Sequence, residues 1–492
     1  MKLPALSQQH TALVRAHKKP HFAFFMEQGT GKAYVGLAEA EVLHEQGLID
    51  ALIVIAPNGV QRNWLSREAP KLLSTPHIAL LWTGATTKKF AREVENFMAP
   101  NPKALRIAAF NIEAFQQSGS RAEKLLTRLL KSLRCYLVLD ESSTIKNPSA
   151  ACTRNLIRIG RAAAFRRIMT GTPITQSPLN FYSQFKFLGD GLLGFKDWVP
   201  FKSYFAEWRQ RQIPDRRPNA RPDDVRTFPE LVRYRNLSQL KARADAHSFT
   251  ILKKDCLDLP PKVYEERPVT LTPEQRALYT ATKKDLIVRL QNDDRMTLAH
   301  AFTRLTRLSQ IAGGFLKADE EDEPRAIPGG NPKIEALVQY VEELPAEKKV
   351  IVWARYRAEL NAIADALGRS RCALYWGETD EQARHESVDA FQSADGLRFF
   401  VGNPKSGKYG LTLTAAHHMF YFSCDYSAEA RWQSEDRSHR IGQDESLAIV
   451  DCYALGTIDE RIRAILRERK NVADIFNGSK RSMIDWLENE EN

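Results

Sequence analysis

Short apolar runs alternate along this chain with stretches whose apolar residues recur at helical spacing, and the alternation occurs twice. Phe22–Phe25, Ala51–Ala56, Leu105–Phe110, Cys135–Leu139 and Arg167–Met169 form a first series. Val350–Trp353, Cys372–Tyr375, Phe399–Val401, Met419–Phe422 and Ala448–Cys452 form a second. A continuous apolar run between helical segments is the pattern of a parallel strand covered on both faces. The fold class predicted is therefore α/β, with two parallel-sheet lobes of similar design.

Between the series the pattern changes. Residues 180–250 are rich in aromatics and arginine and include the run Arg209-Gln-Arg-Gln-Ile-Pro-Asp-Arg-Arg-Pro-Asn-Ala-Arg-Pro. No strand pattern is visible there, and the prolines predict an irregular or short-helical insertion. Helical spacing returns from Pro273 to about Leu316, followed by an acidic loop, Asp319-Glu-Glu-Asp-Glu-Pro, and the breaker Pro328-Gly-Gly. The predicted domains are a first lobe over 1–260 with a helical, basic insertion at about 180–250, a helical protrusion and linker over 261–330, and a second lobe over 331–492.

Length and charge narrow the classes. A chain of 492 residues exceeds what one hydrophobic core supports. Lysine and arginine outnumber aspartate and glutamate by 71 to 60, a net charge of +11, which favours polyanionic partners. The six cysteines have no zinc-like spacing and read as buried, reduced thiols. No apolar run is long enough to cross a bilayer and the first twenty residues lack a signal-peptide core, so a soluble cytoplasmic protein is expected.

Four strings carry chemistry. Phe24-Phe-Met-Glu-Gln-Gly-Thr-Gly-Lys32 is a strand, a glycine turn and a helix start, the arrangement that brings backbone amides and Lys32 to phosphate oxygens. Gly29, Thr30, Gly31, Lys32 and Ala33 are its candidate phosphate-binding residues. It departs from the general phosphate loop at Met26, which stands at the first glycine position, and at Ala33, where a magnesium-binding hydroxyl is expected. Tyr136-Leu-Val-Leu-Asp140-Glu141 is a strand ending in two carboxylates, where open α/β sheets bind ligands. Asp140 and Glu141 are the candidate metal residues, and Glu141 is also the candidate base for an attacking water. Met169-Thr-Gly-Thr-Pro-Ile174 places the Thr170 and Thr172 hydroxyls after a strand, where they could couple a phosphate site to a nucleic-acid path. Gln433-Ser-Glu-Asp-Arg437-Ser-His-Arg440-Ile-Gly-Gln443 sets two arginines three apart, on one face of a helix. A solvated basic face would explain them, as would charge stabilisation on a transferring phosphoryl group.

Taken in order, these strings resemble helicase superfamily two, and specifically the Swi/Snf-type DNA-dependent ATPases, over nearly the whole chain. Leu6-Ser-Gln-Gln-His-Thr-Ala-Leu, Ala56-Pro-Asn-Gly-Val-Gln-Arg-Asn-Trp-Leu65, Asp140-Glu-Ser-Ser-Thr-Ile-Lys-Asn147, Leu257-Asp-Leu-Pro-Pro-Lys262 and Gly407-Lys-Tyr-Gly-Leu-Thr-Leu-Thr-Ala-Ala416 match further motifs. Arg440-Ile-Gly-Gln443 is the most family-specific. The resemblance implies two tandem RecA-like lobes with helical insertions, ATP and Mg2+ as cofactors, and double-stranded DNA as partner. It also implies Gln9 on the adenine, Gln433 on the nucleotide, and Asn58 and Arg62 with Thr170 and Thr172 toward the nucleic acid. Lys32, Glu141, Arg437 and Arg440 are then the catalytic candidates. A monomeric duplex-DNA translocase is expected, with a recruiting partner left open. An ATP-gated DNA clamp slowed by Ala33 and a strand-separating helicase are the alternatives. Ser142-Ser143, in place of the family's small residue and histidine, implies altered coupling to DNA.

Overall fold

A computed structural model describes all residues except 18, 175–176, 215–224, 293–297, 317–323, 378–380, 394–395, 406–410, 469–471, 473–479 and 489–492. The chain forms two compact units, Met1–Leu257 and Asp258–Asn492. The acidic loop expected at 319–324 lies almost wholly outside the described residues, as do Gly407-Lys-Tyr-Gly of the late motif.

The first unit is built on a seven-stranded sheet in which every pairing is parallel. Its strands are β1 (His21–Met26), β2 (Ala51–Ala56), β3 (His77–Leu81), β4 (Leu105–Asn111), β5 (Cys135–Asp140), β6 (Phe165–Met169) and β9 (Ser248–Ile251), in the order β3-β4-β2-β5-β6-β1-β9. Alternate residues feed opposite cores. Cys135, Leu137 and Leu139 of β5 enter one cluster, and Tyr136 and Val138 the other. Burial on both faces is why β1, β2 and β5 read as unbroken apolar runs and β4 as one broken by buried Arg106.

The insertion corrects the expectation. Helices Phe181–Leu188, Trp198–Phe205 and Leu237–Asp245 are present, but between them β7 (Ala206–Pro214) and β8 (Val225–Tyr234) pair antiparallel as a separate two-stranded ribbon. Such a ribbon has no buried face to demand apolar alternation, so its sequence carries no strand signal. Edge strands β3 and β9 escape the sequence pattern for a related reason, since an edge is only partly covered.

The second unit holds a six-stranded, wholly parallel sheet. It opens with an edge strand, β10 (Lys262–Val269), whose sequence Lys-Val-Tyr-Glu-Glu-Arg-Pro-Val is too charged to read as an apolar run. After the two-residue pair β11 (Phe315–Leu316) and β12 (Arg325–Ala326), the remaining strands are β13 (Val350–Trp353), β14 (Cys372–Tyr375), β15 (Phe399–Gly402), β16 (His418–Tyr421) and β17 (Leu447–Ala454). The order is β10-β17-β16-β13-β15-β14. Helices Pro273–Asn292 and Leu298–Ala312 occupy the stretch expected to be helical. All six cysteines are free, though Cys152, Cys256 and Cys424 are only partly buried, against the expectation that all would be. Among the described residues no helix is long and apolar enough to cross a membrane.

One buried ion pair locks the helix Lys32–Glu45 to the first sheet. Arg167 of β6 is fully buried and donates from Nε to Glu39 Oε2 at 2.9 Å and from Nη2 to Glu39 Oε1. The Tyr136 hydroxyl donates to the same carboxylate at 2.8 Å, and Arg167 also reaches the carbonyls of Lys19 and Pro20. Breaking a buried pair strands one charge, whereas replacing both partners by apolar groups can be nearly neutral. Glu39→Ala should therefore lower the chain's stability by about 3–5 kcal/mol, seen as a lower urea midpoint. The double replacement Glu39→Leu with Arg167→Met should lose far less.

Candidate active site

The register of the first sheet sets three strand ends abreast. Met169 pairs with Phe24 of β1 on one side and with Asp140 of β5 on the other. The glycine loop, the carboxylate pair and the Thr170–Pro173 loop therefore leave the same edge of the sheet side by side. In open α/β sheets that edge is the ligand-binding edge.

In the glycine loop, Gly29 and Gly31 take φ of 86° and 97°, a region that excludes most L-residues. Gly31 caps the helix that starts at Lys32, leaving that helix's first amides and its positive end facing the loop. Thr30 is fully buried and its hydroxyl donates to the Glu27 carbonyl at 2.7 Å. Lys32 Nζ donates to the Met26 carbonyl at 3.0 Å. Gln9 lies directly over the loop: a β-carbon on Gly31 would stand 2.1 Å from its Nε2. Its Oε1 accepts from the Leu6 N–H at 2.9 Å, which orients the amide. Ala33 is half-buried against the apolar cluster and offers no hydroxyl.

Asp140 and Glu141 differ in setting. Asp140 is buried, and burial pushes its carboxyl above the ordinary range, opposed by Lys32 and by donors from Trp64 and the Glu141 N–H. Trp64 Nε1 donates to Oδ2 at 3.0 Å and the Glu141 N–H to Oδ1 at 3.0 Å. Glu141 has φ 51°, a left-handed conformation uncommon outside glycine, and its Oε2 accepts from Thr170 Oγ1 at 3.2 Å. The Thr172 N–H donates to that same Thr170 hydroxyl at 3.2 Å. A β-carbon on Gly171 would come within 3.1 Å of the Gln28 nitrogen, so this loop packs closely on the glycine loop.

Trp64 and Gln184 emerge from the structure as joints. Trp64 opens a π-helical turn, Trp64–Glu68, within the segment after β2. Pro70 follows it, and a proline ring clashes with the carbonyl four residues back in a regular helix, which a wider turn relieves. The indole also covers Gly36, where a β-carbon would sit 2.9 Å from its ring. Asn58 is exposed and accepts from Gln61 Nε2 at 3.2 Å, and half-buried Arg62 lies in the same segment, two residues before Trp64. Gln184, fully buried, accepts from Ser142 Oγ at 2.8 Å and donates to the carbonyls of Pro173 and Asn180 at 2.8 and 3.0 Å. Ser142, where the family has a small residue, thereby joins the carboxylate turn to the threonine loop. No sequence signal marks Gln184.

In the second unit the helix Ala428–Glu435 ends before both arginines, so Arg437 and Arg440 occupy the turns after it and do not share a helix face. They converge instead on Leu411 and Thr412. Arg437 Nη1 donates to the Leu411 carbonyl at 3.3 Å, and Arg440 Nη1 to Thr412 Oγ1 at 2.8 Å. An ionic clamp holds the helix. Arg431 lies 3.3 Å from the Tyr421 ring centroid and pairs with Asp451 at 2.6 Å and Glu435 at 2.9 Å. Burial alone would raise the Glu435 carboxyl, but Lys262 and Arg431 hold it down to about 2. Gln433 is buried and donates to Glu429 Oε1 at 3.0 Å.

A glycine loop at a helix start, a buried strand-end aspartate and an adjoining glutamate thus come together at one end of a parallel α/β sheet. The SNF2-related domain model matches residues 12–313, more than half the chain, and the helicase conserved C-terminal domain matches 332–442. The chain belongs to the SNF2-related family of helicase-like ATPases. It is similar to an uncharacterized ATP-dependent helicase of Mycoplasma genitalium, 22% identical over 91% of this chain and 39% of that protein. It is also similar to the SWI/SNF-related matrix-associated actin-dependent regulator of chromatin subfamily A-like protein 1 of Drosophila melanogaster, 23% identical over 91% of this chain and 52% of that one. The chain thus spans about two fifths to one half of these relatives. Among solved structures, the Sulfolobus solfataricus SWI2/SNF2 ATPase core in complex with dsDNA aligns over 99% of this chain and 95% of that chain, at 20% identity and a TM-score of 0.39.

The loop geometry has a direct consequence. Gly31→Ala adds a β-carbon both to a left-handed backbone and to the space held by Gln9. It should lower stability by about 1–3 kcal/mol, measured by thermal unfolding. A Gln9→Ala background should recover the steric share and leave the backbone share.

Proposed function

We propose that this chain is a DNA-dependent ATPase that uses ATP hydrolysis to translocate along duplex DNA, remodelling it or displacing bound proteins without processive strand separation. It acts as a cytoplasmic monomer. The observation that carries this reading is the bond from Trp64 to Asp140. It ties the segment bearing Asn58 and Arg62 to the buried carboxylate of the phosphate site. A shift of that segment on DNA would alter the support of Asp140 directly. Family membership supplies the nucleic-acid class.

In this reading the loop amides from Gly29 to Ala33 and the Lys32 ammonium bind the phosphates, and Gln9 contacts the base. Glu141 orients the attacking water and takes its proton, its carboxylate aimed by the Thr170 hydroxyl. Thr170 and Thr172 pass the state of the site toward the DNA path. Arg437 and Arg440 are assigned to charge that builds on the phosphoryl group, and Gln433 to the nucleotide.

The residues present fit a magnesium ion. Asp140 is a desolvated carboxylate whose charge a cation would compensate. Magnesium usually keeps several waters and takes one or two carboxylates with substrate phosphates as its other ligands. Asp140 would hold it, with Glu141 beside it, and the ion would neutralise charge on the phosphate oxygens.

The deciding experiment measures ATP turnover with no DNA, single strands, duplex and forks, alongside fork unwinding. Stimulation greatest with duplex and no strand separation is expected. Efficient fork unwinding would favour the helicase alternative, and DNA binding without turnover the clamp.

Lys32→Ala should abolish turnover in a chain whose circular dichroism is unchanged, because it deletes the phosphate-binding charge from the loop. Ala33→Thr should raise turnover at low magnesium about tenfold, roughly 1.4 kcal/mol of transition-state stabilisation, by restoring a ligand hydroxyl. A magnesium titration of both proteins checks it, and superimposable curves would show that the loop works without the hydroxyl.

A further inference from the structure

The arginine-rich run that the active site leaves unused begins in β7 of the β7–β8 ribbon. Nine residues of β7 pair along β8 in a sheet that, among the described residues, no third strand joins. At roughly 3.3 Å per residue the ribbon is about 30 Å long. Its root is anchored: Ala206 is buried, Trp208 and Tyr234 pack on the first unit's core, and Lys202 Nζ lies 3.7 Å from the Trp208 ring centroid. Beyond the root the described side chains of β7 are open on both faces. Arg209, Gln210, Arg211 and Gln212 are consecutive and all exposed, although successive side chains point to opposite faces. A two-stranded ribbon bare on both faces is marginal in water and gains from a partner that covers it.

The chemistry selects the partner. From Ala206 to Arg235 the chain holds eight arginines, no lysine and five acidic residues, a net charge of +3. On one face Arg209 and Arg211 share a single carboxylate, Glu230, at 2.8 and 3.0 Å, so one positive charge remains uncompensated. Arg233 pairs with Glu207 at 2.8 Å. These exposed pairs are screened by water and weak, so they exchange readily for phosphate, which the guanidinium fork binds in bidentate fashion. Strand addition by another protein is disfavoured, because Pro214 and Pro229 remove ladder donors and charges line the ribbon. Duplex DNA fits in shape as well as charge, since its major groove admits a two-stranded β-ribbon.

We infer that the β7–β8 ribbon is a second duplex-DNA contact, separate from the Asn58–Trp64 segment, which holds backbone phosphates through Arg209, Arg211 and Arg233. The inference rests on the DNA-dependent reading above and adds the element that supplies much of the affinity. Phosphate binding of this kind does not read sequence and weakens with salt.

The test uses the full chain and a duplex of mixed sequence. The variant Arg209→Ala/Arg211→Ala/Arg233→Ala should bind duplex more weakly. Its slope of log affinity against log salt should be shallower by about 2–3, since each phosphate left unneutralised removes about 0.9. More duplex should be needed for half-maximal stimulation, with DNA-free turnover and the stimulated maximum unchanged. Glu230→Gln, which frees Arg209 and Arg211 from their shared carboxylate, should act in the opposite sense and tighten binding. That opposed pair separates a phosphate-binding role from damage to the fold. If wild type responds to duplex while both variants keep its salt slope and half-maximal duplex concentration, the ribbon does not touch DNA. If wild-type turnover ignores DNA altogether, the DNA-dependent reading itself fails.

Discussion

Backbone pairing between parallel strands governs the position of the three loops gathered at one end of the first sheet. Because β5, β6 and β1 run the same way and in register, Asp140, Met169 and Phe24 reach one edge together. The three loops that leave them have nowhere to go but against one another. Gly171 approaches the Gln28 nitrogen so closely that a side chain there would need the backbone to move. The Glu39–Arg167 pair holds the helix behind the glycine loop to the same strands, so loop, helix and sheet keep one geometry.

Within that frame the two carboxylates sit in different surroundings. Asp140 is taken out of water and balanced by Lys32 and two N–H donors, an arrangement suited to a bound cation. Glu141 is held in a strained backbone conformation and steered by a threonine hydroxyl. The departures at Ala33 and Ser142 fall on opposite sides of this balance. Ala33 removes a potential oxygen ligand, whereas Ser142 adds a hydroxyl that Gln184 takes up and joins to the Pro173 carbonyl.

The second unit repeats the design with another fastening. Arg431, between Asp451, Glu435 and the face of Tyr421, pins the helix that precedes Arg437 and Arg440. Both arginines then gather on two consecutive residues, Leu411 and Thr412, beyond the helix end. The ribbon of the first unit is the contrasting case: a basic surface fastened at its root, with Arg209 to Gln212 exposed beyond it.

The two sheets were legible in the amino-acid sequence because most strands buried on both faces are apolar, and Ala51–Ala56 and Val350–Trp353 coincide with the runs read from it. The places of the loops were legible too, since the left-handed turn falls on the glycines Gly29 and Gly31 and the apolar run Cys135–Leu139 ends at Asp140. Strands with less burial, β3, β9, β10 and the ribbon, left no such trace, and the helix expected to carry Arg437 and Arg440 stops at Glu435. Tertiary structure alone decided that Trp64 meets Asp140 across 76 residues and that Gln184 meets Ser142 across 42. A hydrogen bond between distant residues depends on where two separate elements come to rest, and neither tryptophan nor glutamine carries a local pattern that announces its partner.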